Sequence, residues 1–266
     1  MPSLKKITDS ELPRRLGFRS GEKGVHNTRT VMIGDLRTLL EKLPASADAE
    51  AYRQAIVDEN VLGKGTHSTR KYTAQRLSEL YGLDPKIPLF RLFRRYWEVS
   101  QTGRELLAML LALARDPLLR LTADSVLEMD PGTRFDKTKL QAMIRNETGD
   151  RFSETSVKKI SRLAGSSWTQ SGHLEGRYKK TRRRPHCMPA NASFALLLGY
   201  LGGARGALLF ETYWTHILDA PDFEVKEHAK SASRRGLLTY RNAGGVIELG
   251  FSQVLTEEER AEVTHE

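Results

Sequence analysis

The segment ELLAMLLALARD, residues 105–116, is apolar on almost every side. A helix of that kind has no face to offer water, so other elements must surround it. The neighbouring sequence supplies them as amphipathic helices. In TRTVMIGDLRTLLEKL, the residues Val31, Leu36, Leu39, Leu40 and Leu43 fall close to one helical face. A second helix over 48–61 carries Tyr52, Ala55, Ile56 and Val61. A third follows the turn at Gly63 and Gly65, with Ser68 or Thr69 as its cap and Gly82 as its stop. Residues 88–116 form the most hydrophobic helical block, and 121–129 a short helix. Asp130-Pro131-Gly132 then turns the chain.

Beyond that turn, a helix over 136–147, a bend at Gly149-Asp150 and a helix opening at Ser153 or Glu154-Thr155 form a helix-turn-helix pattern. Val157, Ile160, Leu163, Ala164 and Trp168 give the second of these helices its inner face. The run GRYKKTRRRP, residues 176–185, follows with six basic side chains and no acidic one. Two helices over 190–202 and 205–218 and another over 222–234 come next. GLLTYR and VIELGF, joined by Asn242-Ala243-Gly244-Gly245, read as a β-hairpin. The expected fold is mainly α, with two helical domains over 28–130 and 134–255. The second has helix-turn-helix or winged-helix character and a short C-terminal β-hairpin. Residues 1–27 read as a basic arm and 256–266 as an acidic, frayed tail.

Charge narrows the function. Lys and Arg number 42 against 33 Asp and Glu, a formal charge of +9, which favours an anionic partner. A single cysteine, Cys187, permits no intramolecular disulfide and suits a reducing cytoplasm. The N-terminal residues lack the apolar core of a signal peptide. The segment FALLLGYLGGARGALLF, 194–210, is short for a bilayer and carries Arg205 inside it, so no membrane span is expected.

A search for chemistry yields little. GKGT at 63–66 lacks the first glycine of a phosphate loop, since Asp58 stands there, and Gly65 replaces the required hydroxyl. None of the seven histidines pairs with another at metal-ligand spacing. Cys187 follows His186 in a Pro-flanked loop with no wider triad pattern. The sequence therefore suggests no catalytic residue, no metal and no cofactor.

A binding surface is better supported. Lys158, Lys159 and Arg162 lie on the polar side of the second helix of the helix-turn-helix, with Ser153 and Thr155 at its start. Hydroxyls and helix-terminal amides suit phosphates, while Lys and Arg reach phosphates or guanine edges. Arg177, Lys179, Lys180, Arg182, Arg183 and Arg184 of the basic run would grip the backbone. Arg70, Lys71 and Arg76 give the helix after Gly65 a similar polar face. Arg234, Arg235 and Arg241 flank the first strand of the C-terminal hairpin, where a wing would touch DNA.

YRQAIVDENVLGKGTHSTRKYTAQRLSELYGLDP, together with the buried helix near 105–116, resembles the N-terminal part of the BrxA family of BREX phage-defence systems. FSETSVKKISRLAGSSWTQSGHLEG resembles the helix-turn-helix of that family, and the helix-to-hairpin C-terminus agrees in kind. The resemblance spans residues 50–250 and rests on hydrophobic spacing and a few polar positions. It implies a non-enzymatic, mostly helical DNA-binding component of a bacterial defence system. Its partners would be double-stranded DNA and other BREX proteins. The segment before Thr28 and the basic cluster after Gly176 match no family motif. Two other functions suit the same surface: an adaptor that binds an acidic protein, and a sequence-specific transcriptional regulator.

Overall fold

The computed structural model describes residues 11–264. It is mainly helical, with two short antiparallel strand pairs. The chain opens with α1 (Glu11–Leu16), α2 (Ile33–Lys42), α3 (Ala49–Val57), α4 (His67–Tyr81), α5 (Pro88–Val99) and α6 (Arg104–Arg115). α6 is the helix with no polar face, and each residue from Leu106 to Arg115 is buried. α4 and α5 pack against it, and α3 packs on α4. Each of its fully buried leucines contributes about 1.5–3 kcal/mol relative to exposure.

A short helix, α7 (Pro117–Leu121), follows, and the helix expected over 121–129 forms as the shorter α8 (Asp124–Leu127). α9 (Lys137–Thr148) and α10 (Glu154–Gln170) form the helix-turn-helix, separated by a 3₁₀ turn at Gly149–Arg151. β1 (Leu174–Glu175) and β2 (Thr181–Arg182) follow, then α11 (Pro189–Leu201), α12 (Tyr213–Ile217) and α13 (Asp222–Arg234). β3 (Thr239–Ala243), β4 (Val246–Gly250) and α14 (Glu257–Thr264) complete the chain. The expected helix over 205–218 is instead a 3₁₀ turn at Gly206–Glu211 followed by α12. Thr212 separates them, its hydroxyl accepting the Thr215 amide at 3.4 Å.

No core boundary lies near residues 130–134. One hydrophobic cluster runs from Leu16 to Val263. Its bridge is α11, buried everywhere except Tyr200, which packs on α5 and α6 as well as on α12 and α13. Asn191 at the start of α11 donates to the Gly103 carbonyl at 2.8 Å and accepts the Met188 amide at 3.0 Å. Gly103 has φ +79°, and a Cβ there would lie 2.4 Å from Asn191 Oδ1, so both conformation and space demand glycine. The most apolar helix of each half of the chain is thus joined to the other.

The two ends correct the sequence reading. The first ten residues of the expected basic arm lie outside the described residues, but the remainder is packed. Leu16, Phe18 and Val25 are buried, and the Phe18 ring lies 5.8 Å from Trp214. At the other end, α14 is docked. Glu259 is buried, pairs with Arg91 at 2.5 Å, and forms a reciprocal cap with Thr256. The last two residues of the expected tail lie outside the described residues.

A buried polar cluster holds α10 in place. Asp116, which caps α7, accepts the amides of Val25 at 2.7 Å and Leu118 at 2.9 Å. It also meets His26 Nδ1 at 2.8 Å, and His26 Nε2 meets Ser167 Oγ of α10 at 2.8 Å. Burial alone would raise the Asp116 carboxyl pKa. The His26 contact and the amides of Leu119 and Val25 instead hold it below its ordinary value. Trp168, one residue along α10, donates from Nε1 to Thr122 Oγ1 at 2.8 Å.

Candidate nucleic-acid interface

The helix-turn-helix is framed by strands. β1 and β2 pair antiparallel, with Leu174 opposite Arg182 and Glu175 opposite Thr181. On the other edge of β2, the segment 132–135 runs antiparallel, bridged at Arg134 and Thr181. Phe135 donates its amide to the Lys180 carbonyl at 2.9 Å, and Arg182 donates to Thr133 at 2.9 Å. The chain order is extended segment, helix, helix, strand, loop, strand, which is winged-helix connectivity. The loop 176–180, GRYKK, occupies the position of the wing.

Local chemistry fixes this loop. Gly176 has φ +102°, and a Cβ there would lie 2.2 Å from the Lys179 carbonyl oxygen, so only glycine closes the turn. Lys180 is buried. Its ammonium donates to Thr169 Oγ1 at 2.7 Å and to the Gly176 carbonyl at 3.2 Å, latching the loop to α10. Arg182 is fully buried. It donates to the Val126 carbonyl at 2.8 Å and lies 2.7 Å from Asp219. Both residues were expected on a DNA surface, and both instead hold the scaffold. They point inward because alternate residues of a strand share a face.

α10 has a buried inner face and an exposed polar outer one. Val157, Ile160, Leu163, Ala164 and Trp168 are buried, while Thr155, Lys158, Lys159 and Arg162 are exposed. Ser153 is the N-cap, accepting the Ser156 amide at 3.2 Å. Lys158 pairs with Glu154 one turn back at 2.6 Å. Lys159 and Arg162 have no acidic partner among the described residues. On the wing, Arg177 and Lys179 are exposed, with the Arg177 guanidinium 5.2 Å from the Tyr178 ring centre. Arg184 is exposed, whereas Arg183 is held by Glu175 at 2.6 Å.

The remaining expected residues lie elsewhere. On α4, Arg70 donates to the Val57 carbonyl at 3.1 Å, Arg76 pairs with Glu79 at 2.7 Å, and Lys71 is exposed. The N-cap of α4 is Thr66, which accepts the Thr69 amide at 3.1 Å, and not Ser68 or Thr69. The C-terminal hairpin forms with a two-residue Gly244-Gly245 loop, both at positive φ. It packs on α13 and the 206–211 turn, so it is not the wing of the helix-turn-helix. Arg241 faces Glu248 across it at 3.8 Å, and Arg234 and Arg235 are exposed at the end of α13. Sequence reasoning passed over Arg134 and Lys137, which the fold sets beside the wing. Their only signal was the cation-rich spelling TRFDKTK.

Other candidate chemistry is sequestered. Asp116, His26 and Ser167 have the order of a hydrolase triad, but all three are fully buried. Ser167 Oγ also accepts the Val31 amide at 3.0 Å and lies 3.0 Å from the Leu163 carbonyl, so it is committed to the backbone. Cys187 is buried, which pushes its thiol up to about 12. Among the described residues, no cluster of three or more His, Cys, Asp or Glu side chains is placed to hold a metal ion. No described helix is long and apolar enough to cross a membrane.

Comparison with protein-family models and with curated proteins found no match to this chain.

Proposed function

We propose that the protein binds double-stranded DNA, with α10 against the major groove and the 176–180 wing against the backbone. The observation that carries this reading is the union of two cation sets on one small scaffold. Lys159 and Arg162 project from α10 without acidic partners among the described residues, and Arg177 and Lys179 project from the wing. Lys180 ties that wing to Thr169 of the same helix. An α-helix fits the major groove, and cations flanking it neutralise phosphates. The resemblance to the BrxA family gives the setting: a non-enzymatic, cytoplasmic component of a BREX-type phage-defence system, acting with other proteins of that system.

Paired charge removals test the surface. Lys159→Gln with Arg162→Gln weakens duplex binding by about tenfold or more at moderate salt, measured by fluorescence anisotropy. Arg234→Gln with Arg235→Gln, on α13, leaves it within about twofold. The reverse pattern would move the DNA surface to the C-terminal hairpin.

A further inference from the structure

A cleft of about 500 Å³ opens between the wing and the start of α9. Arg134 and Lys137 line one side, and Lys179 and Lys180 the other. Phe135 is buried there, close enough to α10 that a Cβ on Gly165 would lie 3.1 Å from its ring. Tyr178 stands at the rim, 78% exposed. The one carboxylate of the cleft, Asp136, accepts the amides of Thr138 and Lys139 at 2.8 and 3.4 Å as the cap of α9. The helix terminus is therefore already satisfied, and anion binding here falls to the side chains. Arg134, Lys137 and Lys179 have no acidic partner among the described residues. Burial and the neighbouring Lys137 lower the Lys180 ammonium pKa, a sign of cations crowded together.

Four cations against the single carboxylate of Asp136 leave the cleft net positive and favour a polyanion, and an exposed aromatic beside them favours the face of a base. The aromatic separates a phosphate from a nucleotide: Tyr178 is exposed beside the cations, where a backbone phosphate alone would leave its ring unused and an unpaired base would stack on it. We propose that the cleft takes one unpaired nucleotide, with its phosphate against Arg134, Lys137 and Lys179 and its base against Tyr178. This rests on the DNA-binding reading and adds a preference to it: duplex with a single-stranded extension is bound more tightly than blunt duplex.

The test uses the full chain and three probes: a blunt duplex, the same duplex with a tail of about eight nucleotides, and deoxyadenosine monophosphate as competitor. Wild type binds the tailed duplex about tenfold more tightly than the blunt one, as one stacked base would give. Tyr178→Ala brings the ratio of the two affinities to about one. Arg134→Gln with Lys137→Gln reduces it as well, and circular dichroism confirms that both variants are folded. Displacement of the tail by the mononucleotide identifies free nucleotides as a second source for the same site; no displacement confines it to strands. Equal wild-type affinity for blunt and tailed duplex overturns the cleft proposal and leaves duplex binding intact. An unchanged ratio in Tyr178→Ala also overturns it. No binding to either duplex overturns the DNA reading and this proposal together.

Discussion

Arg182 stands in the most basic run of the chain, yet no part of it reaches solvent. Its guanidinium joins Val126 at the end of α8, the His173 carbonyl and Asp219. A charge so buried is tolerable only with its partners in place. Arg182→Met leaves Asp219 without its cation and costs about 3–5 kcal/mol, read from urea denaturation. In the sequence, GRYKKTRRRP offered no way to separate inward from outward cations, because alternation along a two-residue strand leaves no pattern in a run of one residue type. The turn at Gly176 and the latch from Lys180 to Thr169 needed the fold. His173 adds a pH response. Burial drives its pKa down from 6.5 to about 3, with Arg182 acting in the same direction against the Ile217 hydrogen bond. Its folded form is therefore neutral, and between those values the unfolded chain binds more protons. That contribution is complete above about pH 6.5 and falls by up to about 1.4 kcal/mol per unit as the pH drops. Thermal melts from pH 7 to 5 show the decline, and His173→Gln flattens it.

At the scale of elements, helices were the legible part. Of the two starts that the sequence offered for α10, Ser153 and Glu154-Thr155, Ser153 is the cap, and Ser153→Ala costs about 1 kcal/mol in chemical denaturation. α4 ends at Gly82, as its sequence suggests, with the glycine at φ +83°. The C-terminal hairpin was legible too, because Gly244-Gly245 supplies the two positive-φ residues that a tight loop needs. The wing was the hidden element. Its strands have two residues each, too few for any period to register. Their third partner, 132–135, reads locally as turn chemistry. Consequently the sequence suggested the later, longer hairpin as a wing, although that hairpin packs on α13. Thr66 went unrecognised as the α4 cap because several hydroxyls follow one another there, and spacing alone does not choose among them.

At the scale of the molecule, a division at the Asp130-Pro131-Gly132 turn suggests two folding units, and the packing gives one core. α11 comes from the second half of the sequence and lies against α5 and α6 of the first. The apolar spelling of α6 and α11 showed that both are buried, but could not show that they are buried against each other. Unfolding is therefore expected in one cooperative step. Trp fluorescence samples both halves, through Trp97, Trp168 and Trp214, and its urea transition should coincide with that of far-UV circular dichroism. Two separated transitions would restore the two-domain description. In the proposed reading, the formal charge of +9 supplies the long-range attraction to DNA, and the cations of α10 and the wing supply the contacts where it docks. The most direct test of that claim is the salt dependence of wild-type affinity for a duplex. If the cations of α10 and the wing neutralise phosphates, log K falls linearly with log salt at a slope of about −3 to −5. No binding at low salt, or a slope near zero, would contradict it.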